Sequence, residues 1–96
     1  MTDIEVTATP GAHGWTASVV VTDPDGSSSR HEVMVTRAAL DRLAPGADDP
    51  VDLVRRSFAF LLEREPKESI LRSFDVSQVA TYFPEFETQI LRRPAD

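Results

Sequence analysis

The sequence predicts an α+β domain, namely a three-stranded antiparallel β-meander covered on one face by one longer helix and several short helices. Three observations lead to this prediction. Apolar and polar residues alternate in three runs within the first 36 residues, which is the period of a strand with one buried face. Clusters of Gly, Pro, Asp and Ser separate these runs. Beyond residue 36, apolar residues recur at helical spacing instead.

Each predicted strand presents one apolar row. The rows are Ile4, Val6 and Ala8; Trp15, Ala17, Val19 and Val21; and His31, Val33 and Val35. Turn signals at 10–14 and 24–29 join the strands as successive hairpins. Because a lone three-stranded sheet needs a cover for its apolar face, we expect the rest of the chain to pack on that face.

A short helix opens this second part at Thr36 or Arg37 and ends at Leu43. The main helix is predicted at 50–64, with Asp49 as its N-cap and Pro50 at the first helical position. Its apolar positions are Val51, Leu53, Val54, Phe58, Phe60, Leu61 and Leu62. Such a broad apolar arc indicates a central helix that neighbours contact on two sides.

Three short helical pieces are expected to follow the main helix. The first occupies 67–73, the second is capped by Asp75 or Ser77, and the third restarts at Pro84. We therefore interpret residues 1–96 as a single domain, with the β-meander at 1–36, the helical part at 37–92 and a tail at 93–96. A chain of this length has room for one hydrophobic core.

Composition and charge limit the classes of function. The chain has no cysteine, which removes disulfides, thiolate metal sites and cysteine nucleophiles. With 16 acidic and 10 basic residues its net charge is −6, which predicts no nucleic-acid partner. The N-terminal residues show no signal-peptide pattern, and the longest apolar-rich stretch, at 57–62, is too short to span a bilayer. We therefore expect a cytoplasmic protein that does not insert into membranes.

Two groups of residues could carry enzyme or ligand chemistry. His31 opens the third strand on its apolar side, and the acids Glu63, Glu65 and Glu68 alternate with bases near the end of the main helix. Carboxylates can act as general acids or bases when burial separates their pKa values. We favour the competing interpretation, in which His31 lies at the margin of the sheet, His13 in the first turn faces solvent and the charged run is a solvated surface. No metal or cofactor site is predicted, because two histidines without clustered carboxylates do not form one.

A nucleic-acid regulator is a second alternative. Residues 69–81 partly match a helix-turn-helix, with the turn near Asp75 and a second helix from Ser77. The turn lacks a glycine, Pro84 shortens the second helix, and residues 73–91 contain no lysine or arginine to contact phosphates. These features count against DNA binding.

Aromatic residues close to Pro84 are the candidate contact site for a partner. Tyr82, Phe83 and Phe86 lie within five residues, framed by Glu85 and Glu87. Core packing is the interpretation we favour for these rings. The alternative is that one or more of them form an exposed anchor for a partner, because three large side chains do not easily all point inward from so short a segment.

The runs SFAFLLEREPKESILRSFDV at 57–76 and YFPEFE at 82–87 also carry a resemblance. Over most of residues 51–91 the sequence resembles a group of short uncharacterised prokaryotic proteins that share this signature, a similar length and a strand-rich start. The resemblance implies no activity and assigns no catalytic residue.

The sequence thus favours a small non-enzymatic protein-interaction module, with self-association as one form of that function. The contact surfaces would be a sheet edge and the residues Tyr82, Phe83 and Phe86. No catalytic, cofactor-binding or metal-binding residue is predicted.

Overall fold

One four-stranded sheet and four α-helices make up the fold of residues 2–92, the part of the chain that the computed structural model describes. The strands are β1 (Asp3–Pro10), β2 (Gly14–Thr22), β3 (Ser28–Thr36) and β4 (Ser73–Asp75). The helices are α1 (Arg37–Leu43), α2 (Val51–Leu62), α3 (Val79–Tyr82) and α4 (Phe86–Arg92). Two 3-10 turns, Lys67–Ser69 and Val76–Gln78, flank β4. The α+β class is confirmed, and the predicted tail at 93–96 lies outside the described residues.

The first three strands form the predicted antiparallel meander. The register places Val6 opposite Val19 and Val19 opposite His31, so the three apolar rows share one face of the sheet. The buried residues of this face are Ala17, Val19, Val21, His31, Val33 and Val35. The opposite face carries mostly polar side chains, which is the arrangement expected when only one face of an antiparallel sheet is covered.

The fourth strand corrects the sequence interpretation, which assigned 67–73 to a helical piece and limited the sheet to three antiparallel strands. β4 pairs parallel with β3, with Phe74 opposite Val33, and the sheet order is β1-β2-β3-β4. The N–H of Glu32 donates to the C=O of Arg72 at 2.7 Å. The pairing satisfies backbone groups at the edge of β3 and places Phe74 on the apolar face. Three residues are too few to show an alternating pattern, so the sequence carried little signal for this strand.

Capping side chains hold the helix starts close to where the sequence predicts them. Thr36 Oγ1 accepts a hydrogen bond from the Ala39 N–H at 3.1 Å, and α1 begins at the next residue, Arg37. α2 begins at Val51 and ends at Leu62, within the predicted span of 50–64. The N-cap of α2 is Pro50, one residue later than the predicted Asp49, and Pro50 therefore precedes the first helical residue. Asp49 Oδ1 still accepts from the Val51 N–H at 2.9 Å, so its carboxylate satisfies a donor of the first turn.

α2 is the central helix and contacts its neighbours on two sides. On the sheet side, the ring of Phe58 lies 5.1 Å from that of His31 and 6.0 Å from that of Phe74. On the other side, Phe60 lies 5.8 Å from Phe83 and 5.2 Å from Phe86, both in edge-on geometry. These centroid distances are within the favourable range for aromatic pairs. α2 therefore joins the sheet to the C-terminal helices.

Candidate functional site

An apolar groove lies where the end of α2, the segment before β4 and α3 come together. Its volume is about 390 Å³. The residues that line it are Leu61, Glu65, Ile70, Leu71, Phe74, Gln78, Val79, Tyr82 and Phe83. Seven of these nine side chains are apolar or aromatic, and the polar ones are a carboxylate and a primary amide. We call this feature the apolar groove.

The chain builds the groove by changing conformation three times within a short stretch. After α2, the 3-10 turn at Lys67–Ser69 redirects the backbone, and Ile70 then takes an extended conformation that leads into β4. A capping box at Asp75 reverses the chain again: its carboxylate accepts from the Ser77 N–H at 2.8 Å, and its own N–H donates to Gln78 Oε1 at 2.8 Å. The cap fixes where the 3-10 turn Val76–Gln78 starts, and α3, which follows directly from that turn, supplies one wall of the groove.

Two of the most exposed large apolar side chains in the described part of the chain lie on this groove. Leu71 is 51% exposed and Tyr82 is 63% exposed, whereas Ile70 and Phe74 beside them are buried. The floor of the groove thus belongs to the core, and its rim presents apolar surface to solvent. Such a combination is typical of a surface that takes up side chains from another molecule.

The structure separates the three predicted contact residues. Tyr82 is exposed and Phe83 is half-buried, and both line the groove. Phe86 is completely buried and packs edge-on against Phe60. The exposed part of this aromatic group is therefore Tyr82 with one side of Phe83, while Phe86 belongs to the core.

Glu65 is the charged residue among those that line the groove, and its carboxylate has no hydrogen-bond or ion-pair partner among the side chains of residues 2–91. The neighbouring Arg64 does not neutralise it. The Arg64 guanidinium lies 3.6 Å from the centre of the Phe60 ring, donates to the Phe60 C=O at 3.0 Å and pairs with Glu85 at 3.3 Å. The groove consequently carries one uncompensated negative charge.

Gln78 presents the second polar group of the groove. Because its Oε1 accepts the Asp75 N–H, the amide oxygen is held toward the backbone and the NH₂ group is left as a donor. The groove therefore offers one hydrogen-bond acceptor of negative charge and one neutral donor on an otherwise apolar wall.

His31, the candidate for enzyme or ligand chemistry, is a buried structural residue in this fold. Its Nδ1 lies 2.8 Å from the Leu71 C=O, and since a carbonyl can only accept, this nitrogen carries the proton. Its Nε2 then accepts from Ser29 Oγ at 2.7 Å. The ring is 5% exposed and packs against Phe58. Both nitrogens are therefore engaged: Nδ1 joins β3 to the segment that precedes β4, and Nε2 bonds within β3.

The acidic run at 63–68 is divided between different environments. Glu63 is largely exposed and pairs with Arg64, and Glu65 lines the groove. Glu68 belongs to a separate cluster around Lys67, whose buried ammonium donates to Asp23 at 2.7 Å, to Ser27 at 2.8 Å and to Glu68 at 2.7 Å. The structure therefore does not assemble His31 and these acids into one site, and His31 is not among the residues that line the groove.

The Lys67 cluster joins the β2–β3 turn to the 3-10 turn after α2. Hydrogen bonds from Lys67 hold the pKa of Asp23 and the pKa of Glu68 below their ordinary values. The same two bonds raise the pKa of Lys67 above its ordinary value. All three protons of the ammonium have acceptors, so the cluster is a structural clasp rather than a reactive amine.

The helix-turn-helix alternative does not match the geometry of residues 69–81. In the segment that would form its first helix, Ile70 is extended and Ser73–Asp75 forms β4, so no helix leads directly into the turn at Asp75. Within residues 2–92, no three His, Asp or Glu side chains are close enough together to hold a metal ion. No helix in that described range has both the length and the apolar character that a membrane crossing requires.

Sequence reasoning missed Leu71 and Gln78 as groove residues. One signal was available: Ile70 and Leu71 are adjacent apolar residues, and in an extended segment neighbouring side chains point to opposite sides. Comparisons with known protein families, with curated proteins and with solved structures found no match for this chain.

Proposed function

We propose that this protein is a non-enzymatic interaction module that binds a segment of a partner protein in the apolar groove. The observation that carries the proposal is the placement of exposed Leu71 and exposed Tyr82 on the rim of one groove whose floor is apolar. A partner that inserts apolar side chains there would remove this surface from water, at roughly 25 cal/mol for each Å² buried.

The shape and composition of the groove favour a protein segment as its occupant. The groove is open at its rim, and its volume of about 390 Å³ accommodates a few side chains. A tyrosine at the rim is a common anchor of protein interfaces, because it contributes a large rigid apolar area and a hydroxyl group. A cytoplasmic location for this function remains a prediction from the sequence.

Selection of peptides by the intact chain tests the proposal. Random peptides displayed on phage are selected on the immobilised 96-residue protein, and the enriched peptides are synthesised with a fluorophore for polarisation measurements. We expect Leu71→Ser to weaken their binding about tenfold or more, since this removes an apolar wall of the groove.

Leu91→Ser is the matched control for this experiment. Leu91 is also 51% exposed but does not line the groove, so the same chemical change there should leave the affinity within about twofold. If Leu71→Ser and Leu91→Ser bind the peptides equally, the groove is not the binding site. If the intact protein forms a dimer by light scattering and Leu71→Ser makes it monomeric, the occupant is a second copy of the chain.

A further inference from the structure

We infer that the segment bound in the apolar groove carries a lysine or arginine beside its apolar anchors, and that this cation pairs with Glu65. The inference rests on the proposed function and adds the chemical class of the partner. It follows from the position of Glu65, the arrangement of the cations around it and the charge of the whole chain.

Among the described residues that line the groove, Glu65 is the only charged one, and the rest of that lining is apolar except for Gln78. A half-buried carboxylate beside apolar surface loses part of its hydration when a partner covers the groove. That loss disfavours binding unless the partner brings a compensating group. A cation that hydrogen-bonds the carboxylate provides the strongest compensation, since charge-assisted bonds are stronger than neutral ones.

The protein's own cations near Glu65 are already engaged elsewhere. Arg64 donates to the Phe60 C=O, pairs with Glu63 and Glu85, and lies over the Phe60 ring. Lys67 has its three protons bound in the clasp with Asp23, Ser27 and Glu68. Neither of these two neighbouring side chains is therefore available to pair with Glu65, and no side chain of residues 2–91 pairs with it, so we expect the compensating cation to come from the partner.

The net charge of −6 also favours a basic partner, and it acts over longer distances than the single carboxylate of Glu65. It attracts a basic segment, which raises the rate of association at low ionic strength. It also repels a second copy of this chain, which would bring the same excess of acidic residues. Charge complementarity thus favours a basic and apolar segment of another protein over self-association through this groove.

Gln78 supplies a third determinant of the bound segment. Its NH₂ group remains a donor at the groove, and the acceptor that an extended peptide presents most regularly is a backbone carbonyl. The expected ligand is a peptide with an apolar or aromatic anchor near Leu71 and Tyr82, a neighbouring cation at Glu65 and a backbone carbonyl at Gln78.

A pair of charge-neutralising variants tests the inference with the phage-selected peptides. We expect the peptides selected on the unmodified protein to be enriched in lysine and arginine next to their apolar residues. Glu65→Gln should weaken their binding about fivefold at low salt, and added salt should reduce this difference. The basic enrichment should disappear when selection is repeated on Glu65→Gln.

Glu63→Gln is the matched control, because it removes the same charge from an exposed residue that does not line the groove. Equal effects of Glu63→Gln and Glu65→Gln would overturn the inference, since only net charge would then matter. Peptides that lose affinity with Leu71→Ser but show no basic enrichment would also overturn it, while supporting the proposed function. The absence of any peptide sensitive to Leu71→Ser would overturn both.

Discussion

At the scale of single residues, neighbouring aromatic side chains have different roles that their sequence positions do not distinguish. Tyr82, Phe83 and Phe86 share one short segment, yet only Tyr82 is mostly exposed and Phe86 is fully buried. The separation arises because α3 ends at Tyr82 and α4 begins at Phe86, so the helical periodicity is interrupted between them and the two residues belong to different helices. Surface and core roles therefore lie within five residues of each other.

Alanine substitutions at two of these positions should have very different effects on stability. Phe86→Ala removes a buried ring that packs on Phe60, and we expect the free energy of unfolding to fall by about 3–5 kcal/mol. Tyr82→Ala removes an exposed ring, and the change should stay within about 0.5 kcal/mol. Urea denaturation measures both values. Similar losses for the two variants would contradict the burial difference described here.

At the scale of secondary-structure elements, β4 and the Lys67 clasp secure the segment between α2 and α3. β4 attaches it to the edge of β3 through backbone pairing, and the clasp attaches it to the β2–β3 turn through side chains. Leu71 and Phe74 of the groove lie in this doubly attached segment. The groove is therefore built on backbone that is held in place from two directions.

The parallel pairing of β4 should be visible as protection of the Glu32 amide. Its N–H donates to the Arg72 C=O at 2.7 Å, so we expect it to exchange with solvent deuterium as slowly as the amides of the sheet interior. Arg30 is the internal control. It lies on the same edge of β3, two residues before Glu32, and no residue of β4 pairs with it. Rapid exchange at Glu32, equal to that at Arg30, would show that β4 is not paired in solution.

The Lys67 clasp should make the protein sensitive to acid. The pKa values of Asp23 and Glu68 lie below their ordinary values of 3.8 and 4.5, so these groups bind fewer protons in the folded state than in the unfolded state. Their contribution is complete above about pH 5 and is lost as the pH falls through the lowered folded-state values. The raised pKa of Lys67 means that its own contribution weakens only in strongly alkaline solution, above its ordinary value of 10.5.

Lys67→Met tests this assignment. Without the ammonium the two carboxylates should titrate near their ordinary pKa values, so the free energy of unfolding should fall less between pH 6 and pH 3 than in the unmodified protein. Urea denaturation at a series of pH values measures how the free energy of unfolding depends on pH. An unchanged pH dependence in Lys67→Met would mean that other carboxylates cause the acid sensitivity.

At the scale of the whole molecule, the buried apolar residues of the sheet and of the helices form one cluster. α2 is the reason, because its Phe58 packs on the sheet side and its Phe60 packs on the α3–α4 side. Neither part buries its apolar face without this helix. We therefore expect the sheet and the helices to unfold together.

A comparison of two spectroscopic signals checks this cooperativity. Trp15, the single tryptophan of the chain, lies in β2 and reports on the sheet by fluorescence, whereas circular dichroism at 222 nm reports mainly on the helices. The two urea transitions should have the same midpoint and slope, as expected for a two-state domain. Separate midpoints would indicate two independently folding parts and would contradict the prediction of a single domain.

By itself, the sequence determined the elements whose patterns are long or whose capping residues act locally. The alternation in β1–β3 specified strands and their buried face, and Thr36, Asp49 and Asp75 marked helix starts, because these signals depend only on residues close in the chain. The tertiary structure alone decided the fourth strand, the groove and the unpaired charge of Glu65. Each depends on contacts between distant segments: β4 exists because β3 has an edge to pair with, and the groove exists because side chains of α2, of the segment at Leu71 and of α3 come together. No local pattern encodes such contacts, since the free energy that selects them is gained only when the whole chain has folded.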